Sequence, residues 1–152
     1  MRSTRRDFIN KMLILAGYTI SLSISKLSAA NWLASDFRHQ AINTTLAELF
    51  PDKTLQTSDK IHLKLPRTAE NGSVVPITIT SSIENIDTVY ILSEKNPVPL
   101  IAKFSLNPDL ETFIGARFKM KETCDVIVIV KAEEQYYQTR QKVKVTLGGC
   151  GG

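Results

Sequence analysis

Asp125-Val126-Ile127-Val128-Ile129-Val130-Lys131 is the stretch whose reading decides the fold. Five β-branched residues in a row are stiff at χ1 and favour an extended backbone. A strand with one wet face alternates apolar with polar residues. This run does not alternate, so it predicts a strand buried on both faces at the centre of a sheet. Working outward, Glu133-Glu134-Gln135 reverses the chain, and Tyr136 to Leu147 then alternates, with Val143, Val145 and Leu147 on one side and Lys142, Lys144 and Thr146 on the other. Upstream, Thr112 to Met120 reads as a strand interrupted by Gly115. Leu100 to Leu106 and Ile86 to Leu92 are set off by the turns Asn107-Pro108-Asp109 and Asn96-Pro97-Val98-Pro99.

Farther from the centre, Val74 to Ser81 places Val75, Ile77 and Ile79 on one face after the turn Glu70-Asn71-Gly72-Ser73, and Pro76 assigns this strand to an edge or a bulge. Ile61, Leu63 and Leu65 alternate with His62 and Lys64 as in a half-buried strand, which Pro66 ends. Before them Phe37, Ala41, Ile42, Leu46, Leu49 and Phe50 recur at helical spacing, with Asp36 as N-cap and Pro51 as stop. Seven short strands with no βαβ rhythm predict an all-β fold, an immunoglobulin-like antiparallel β-sandwich preceded by one short helix.

The chain of 152 residues has room for one such domain. Its net charge of +4 disappears when residues 1–30 are set apart. Those hold Arg2, Arg5, Arg6, Lys11 and Lys26 against Asp7, which leaves 14 basic and 14 acidic residues from Asn31 onward. A neutral remainder gives no reason to invoke nucleic acid or an anionic membrane surface. Residues 1–30 read as a cleavable signal. Arg5-Arg6 stands before Phe8 and the mostly uncharged stretch Met12 to Ser25, which is too short for the roughly 20 residues of a membrane span. Ser28 and Ala30 suit signal peptidase, so the expected mature chain starts at Asn31, exported to the periplasm by the twin-arginine route, which carries proteins already folded.

Only two cysteines are present, Cys124 and Cys150. In an oxidising compartment they could form a structural bridge, but that bond would close a 25-residue loop onto a segment with little else to order. The alternative, a free thiol, draws attention to residues 148–152. Gly148, Gly149, Gly151 and Gly152 flank Cys150 with no side chain to bury and both signs of φ open to them. Five residues at about 3.3–3.6 Å each reach on the order of 17 Å past Leu147, and nothing wider than backbone accompanies the thiol into a narrow cleft. The segment offers no helix terminus, cation or metal to activate the thiol, so its reactivity must come from a partner's site. Domain bounds are therefore 1–30 for the signal, 31–147 for the β-domain and 148–152 for the tether.

Other constellations are sparse. Two histidines, His39 and His62, do not make a four-ligand zinc site with two cysteines, so no metal and no resident cofactor is expected. Glu133 and Glu134 are read as a solvated turn rather than as paired catalytic carboxylates. There is no nucleophile motif and no phosphate-cradling loop, and the chain is read as no enzyme.

Pro66-Arg67-Thr68-Ala69-Glu70-Asn71-Gly72-Ser73-Val74-Val75-Pro76, the run Lys95-Asn96-Pro97-Val98-Pro99, Phe104, and Val143-Lys144-Val145-Thr146-Leu147-Gly148-Gly149-Cys150-Gly151-Gly152 together resemble the sulfur-carrier subunit of the bacterial thiosulfate-oxidising Sox complex, the SoxY family. The resemblance implies a subunit that pairs with a second β-sandwich of the SoxZ type and is exported with it. It also implies that Cys150 is joined oxidatively to thiosulfate by a c-type haem enzyme. A dimanganese hydrolase then releases sulfate, and a sulfane-oxidising enzyme acts on the sulfur that stays attached. The chain departs from the usual pattern between Glu111 and Cys124 and around Glu133 to Tyr137, where the family has a shorter hairpin richer in Gly and Ser. Two other readings of the residues stay open: thiol–disulfide exchange through Cys124 and Cys150, and a β-sandwich binding module whose tail is idle. A ubiquitin-like modifier working through its terminal Gly-Gly conflicts with export, since adenylation needs cytoplasmic ATP.

Overall fold

The structure, a computed structural model, describes residues 36–146, all within the compact unit Leu33–Gly152. The predicted signal with Arg5 and Arg6, and the predicted tether with Cys150, lie outside the described residues. Among the described residues one helix, α1 (Ile42–Leu49), precedes nine strands: β1 (Leu55–Thr57), β2 (Ile61–Lys64), β3 (Thr68–Ala69), β4 (Val75–Ser81), β5 (Ile86–Ser93), β6 (Leu100–Ser105), β7 (Thr112–Phe118), β8 (Cys124–Ala132) and β9 (Gln135–Val145). One sheet has the order β1-β9-β8-β5-β6, with β3 also on β9; the other is β2-β4-β7.

The uninterrupted apolar run is β8, paired on one side with β5 and on the other with β9. Its alternate residues go to different places. Val126, Val128 and Val130 join Val75, Ile77 and Ile79 of β4 between the two sheets. Ile127 and Ile129 face the other way, into a second cluster with Phe50, Tyr90, Leu92 and Leu100, against which Ile42, Leu46 and Leu49 of α1 pack. The helix therefore forms a third layer over the outer face of the larger sheet, which is why β8 has no polar side to show. Phe50 is the centre of that cluster, edge-on to Tyr90 at 5.0 Å and to Tyr136 at 5.2 Å between ring centroids.

Three expectations are corrected. The sandwich is not wholly antiparallel: β1 and β3 each pair in parallel with β9. Both are only three and two residues long, too short for a period of two to show in sequence. The chain runs along the β9 edge, crosses to the smaller sheet as β2, and returns after Pro66, so the two pieces share one direction. Asp36 is not the helix cap. The N-cap is Ala41, without a side-chain bond, while Asp36 lies 3.8 Å from Lys103 Nζ. The intervening segment is instead tied down by the Gln40 N–H to Pro97 O (3.2 Å) and by Gln40 Nε2 to Thr45 Oγ1 (3.1 Å). Finally, Pro76 does not mark an edge strand, because β4 lies between β2 and β7. β2 accompanies it only over Thr78–Ser81, so at Pro76 one flank is unpaired and the missing N–H costs no ladder bond there.

Gly115, expected to interrupt its strand, sits within a continuous β7 opposite Thr78. The Glu133-Glu134 reversal is a two-residue loop between Ala132 and Gln135, with Glu133 at φ 56°.

Candidate functional site

Val145, the last residue of β9, and Thr146 just after it are where the chain leaves the sandwich toward Cys150. The structure brings to this one end the segments that the sequence singled out separately. β3 runs beside Lys144 and Val145, and the contact is extended by the Lys144 N–H to Arg67 O and the Thr146 N–H to Ala69 O, both 3.0 Å. The next turn is closed by its own Asn71, whose Oδ1 accepts from the Ser73 N–H at 2.8 Å. Gly72 follows at a crowded point. Its carbonyl accepts from the Met120 N–H at 2.7 Å, and a Cβ here would be driven into the Met120 carbonyl oxygen while standing 3.0 Å from Val145 Cγ1. Glycine is required by this close approach, since its φ is not positive.

The second segment grips the same loop from the opposite side. Asn96 Nδ2 donates to Lys119 O (2.7 Å) and its Oδ1 accepts from the Lys121 N–H (2.9 Å), a two-point clamp that fixes Met120 between them. The turn that carries Asn96 is itself closed by the Ser93 N–H to Pro99 O at 2.9 Å. Thr123 completes the anchorage. Its Oγ1 accepts from the Val145 N–H at 2.9 Å and lies 3.3 Å from Val145 O, so one hydroxyl stands in for a neighbouring strand where the ladder stops. Each such bond contributes about 0.5–1.5 kcal/mol, and together they hold the root of the Cys150 segment from both flanks. Met120 and Thr123 were not singled out in the sequence, because neither lies on a periodic face.

Cys124 begins β8 directly after Thr123. It is 3% exposed, lies in the core between the sheets opposite Val143, and its Sγ is 3.2 Å from the Oγ of the fully buried Ser93. A thiol so placed must be uncovered before it can meet another. Cys124 nonetheless forms part of the wall of an open cleft of about 580 Å³, which is lined also by Thr123 and Val145, by Lys95, Lys121 and Lys142, and by Glu94, Glu122 and Asp125. His39 and His62 are exposed, and the described residues hold no group of three His, Cys, Asp or Glu side chains that could hold a metal. Glu133 and Glu134 are exposed at the opposite end of β9. One strongly perturbed group lies away from this end: burial pushes the Tyr90 phenol up to about 12, with Tyr136, Asp87 and Asp36 adding to the shift.

Fold and site together define a two-sheet β-sandwich with a helix on one face, whose final strand is anchored where it hands the chain to a cysteine among glycines. A family model described as sulfur oxidation protein SoxY matches residues 46–150, a span that includes both anchoring segments and Cys150. The sulfur carrier protein SoxY from Chlorobium limicola f thiosulfatophilum is similar at 31% identity over 69% of this chain and 96% of that one, with a TM-score of 0.63. The chain belongs to the SoxY family. A chain from a structure on T cell specificity and activation by the bacterial superantigen toxic shock syndrome toxin-1 overlaps at 14% identity and a TM-score of 0.39, over 55% of this chain and 99% of that one, and carries no argument. No curated protein matches.

Proposed function

We propose that this protein is a covalent sulfur carrier in thiosulfate oxidation, with Cys150 as the attachment point. The observation that carries the reading is that the SoxY match runs through Cys150 and that the segments resembling the family are the ones gathered at the root of the Cys150 segment. In the proposed cycle the thiol and thiosulfate are joined sulfur to sulfur by a c-type haem enzyme, which takes up two electrons while one proton is released, leaving Cys150 as an S-thiosulfonate. A dimanganese hydrolase adds water across the bond between the sulfane and sulfonate sulfurs, which frees sulfate and protons and leaves Cys150 as a persulfide, and a sulfane-oxidising enzyme works on the sulfur left behind. The chain supplies the thiol and the tether and performs none of these steps itself. Ordering the tether costs roughly 1–2 kcal/mol per residue, so each visit to an enzyme is weak and reversible, as a carrier requires.

The same reading includes twin-arginine export of the folded protein to the periplasm and a heterodimer with a SoxZ-type β-sandwich. The order β2-β4-β7 facing β6-β5-β8-β9, antiparallel throughout these seven strands, supports an immunoglobulin-like assignment.

Intact-mass spectrometry after incubation with thiosulfate and the purified haem enzyme tests the reading. An adduct of thiosulfonate mass, reversed by added thiol, is expected in the wild type and in Cys124→Ser and absent in Cys150→Ser. An adduct lost equally in Cys124→Ser would favour the exchange pair, against which the burial of Cys124 already argues. No adduct, with full pathway function in Cys150→Ser, would sink the carrier and leave the idle-tail binding module.

A further inference from the structure

The 14 basic and 14 acidic side chains that make the domain neutral all lie among the described residues, and the fold separates them. At the end where β9 finishes, Lys95 is offset by Glu122 at 3.7 Å. Arg67, Arg117, Lys119, Lys121, Lys142 and Lys144 remain, all exposed, against Glu70, Glu94 and Asp125. None of the six takes part in an ion pair among the described residues. At the other end, where β9 begins, Lys131 is engaged by Asp87 at 3.2 Å and lies 3.8 Å from Glu134. The turns there expose Asp59, Glu84, Asp109, Glu111, Glu133 and Glu134 with Lys60 beside them, and Asp52 and Lys53 offset each other just before β1. A strand of 11 residues sets the two poles about 35 Å apart. That exceeds the screening length of about 8 Å at physiological ionic strength, so a protein approaching one end responds to that end alone.

We infer that the end of the sandwich from which the Cys150 segment departs is a cationic docking face for an acidic rim around the entrance of the enzyme that receives the thiol. The inference rests on the carrier reading. Loaded Cys150 bears an anionic sulfonate, which an acidic entrance would repel; cations at the root of the tether offset that repulsion and turn the carrier tail-first. Long-range attraction of this kind raises association rates by about 10–10³-fold and fades with salt, while leaving the chemistry at the thiol unchanged.

Two measurements test it, using the triple variant Arg67→Glu/Lys142→Glu/Lys144→Glu and, as a control at the far pole, Glu84→Lys/Asp109→Lys/Glu111→Lys. In the first, the isotope-labelled protein is titrated with poly-glutamate and, separately, with thiosulfate, and amide shifts are followed. Poly-glutamate is expected to shift amides along 67–70, 119–123 and 142–146 in the wild type and the far-pole variant, not in the tail-end variant, with thiosulfate shifting them far less. Equal shifts from both, or shifts spread over both poles, overturn the inference. In the second, adduct formation by the haem enzyme is timed at about 10 mM and about 1 M salt, where the screening length is about 30 Å and 3 Å. The tail-end variant is expected to load at least about tenfold more slowly at low salt and equally fast at high salt, with the far-pole variant within about twofold of wild type throughout. Unchanged loading of the tail-end variant, or an opposite and equal effect in the far-pole variant, overturns the inference. A wild type that does not load at all overturns the carrier reading, and the titration then decides the docking face by itself.

Discussion

Adding one methyl group at Gly72 tests whether the root of the Cys150 segment is held as described. The new Cβ would run into the Met120 carbonyl oxygen, a backbone atom fixed on both sides by the Asn96 clamp, and would stand 3.0 Å from Val145 Cγ1. Neither neighbour is the loose end of a flexible side chain, so the loop must move. Forcing extra volume into a closely packed site costs about 1–3 kcal/mol, and distorting the 2.7 Å bond from the Met120 N–H to Gly72 O adds about 1 kcal/mol. For a domain of this size that corresponds to a fall in Tm of roughly 5–15 °C. Gly115→Ala is the matched control. No heavy atom lies within 4 Å of its added Cβ, so stability should hold or rise by up to about 1 kcal/mol. Circular-dichroism melts of both variants measure the difference. Hydrogen exchange at the Lys144 and Thr146 amides localises it, since those groups bond to Arg67 and Ala69 just ahead of the displaced turn. If Gly72→Ala melts within about 1 °C of the wild type with unchanged exchange at these amides, the anchorage argument is wrong.

Phe50→Ala should cost about 3–5 kcal/mol by urea denaturation, because Phe50 is 5% exposed and joins α1 to Tyr90 and Tyr136. Its loss should leave Cys150 loading intact, since the cluster lies on the outer face of the larger sheet. Tyr90 supplies a pH test. Its phenol titrates at about 12 in the folded protein against 10.0 in the unfolded chain, so between these values the unfolded state binds fewer protons and stability falls as pH rises. A shift of that size is on the order of 2–3 kcal/mol, and the alkaline loss of stability should be that much shallower in Tyr90→Phe; parallel curves for the two proteins would refute it.

Several features were legible in the sequence because they depend on neighbours along the chain. The unbroken apolar run at Val126–Val130 announced a strand covered on both faces, and the cover proved to be α1, itself visible in the spacing of Ile42, Leu46 and Leu49. Alternation located β2, β4 and β9, and the isolation of Cys150 among glycines was readable directly. What the tertiary structure alone decided depends on residues far apart in sequence. β1 and β3 owe their existence to the free edge of β9, 81 and 76 residues downstream (Leu55 to Tyr136 and Thr68 to Lys144), and carry no pattern of their own. The Asx turn at Asn71 and the Asn96 turn look like separate local punctuation. Only folding sets them on either side of Met120, and only folding supplies the Thr123 hydroxyl at the end of β9. Charge shows the same division: counting residues yields neutrality, whereas the direction in which each strand runs sends cations to one end and carboxylates to the other. Composition fixes how much charge a chain carries, and topology fixes where the field points.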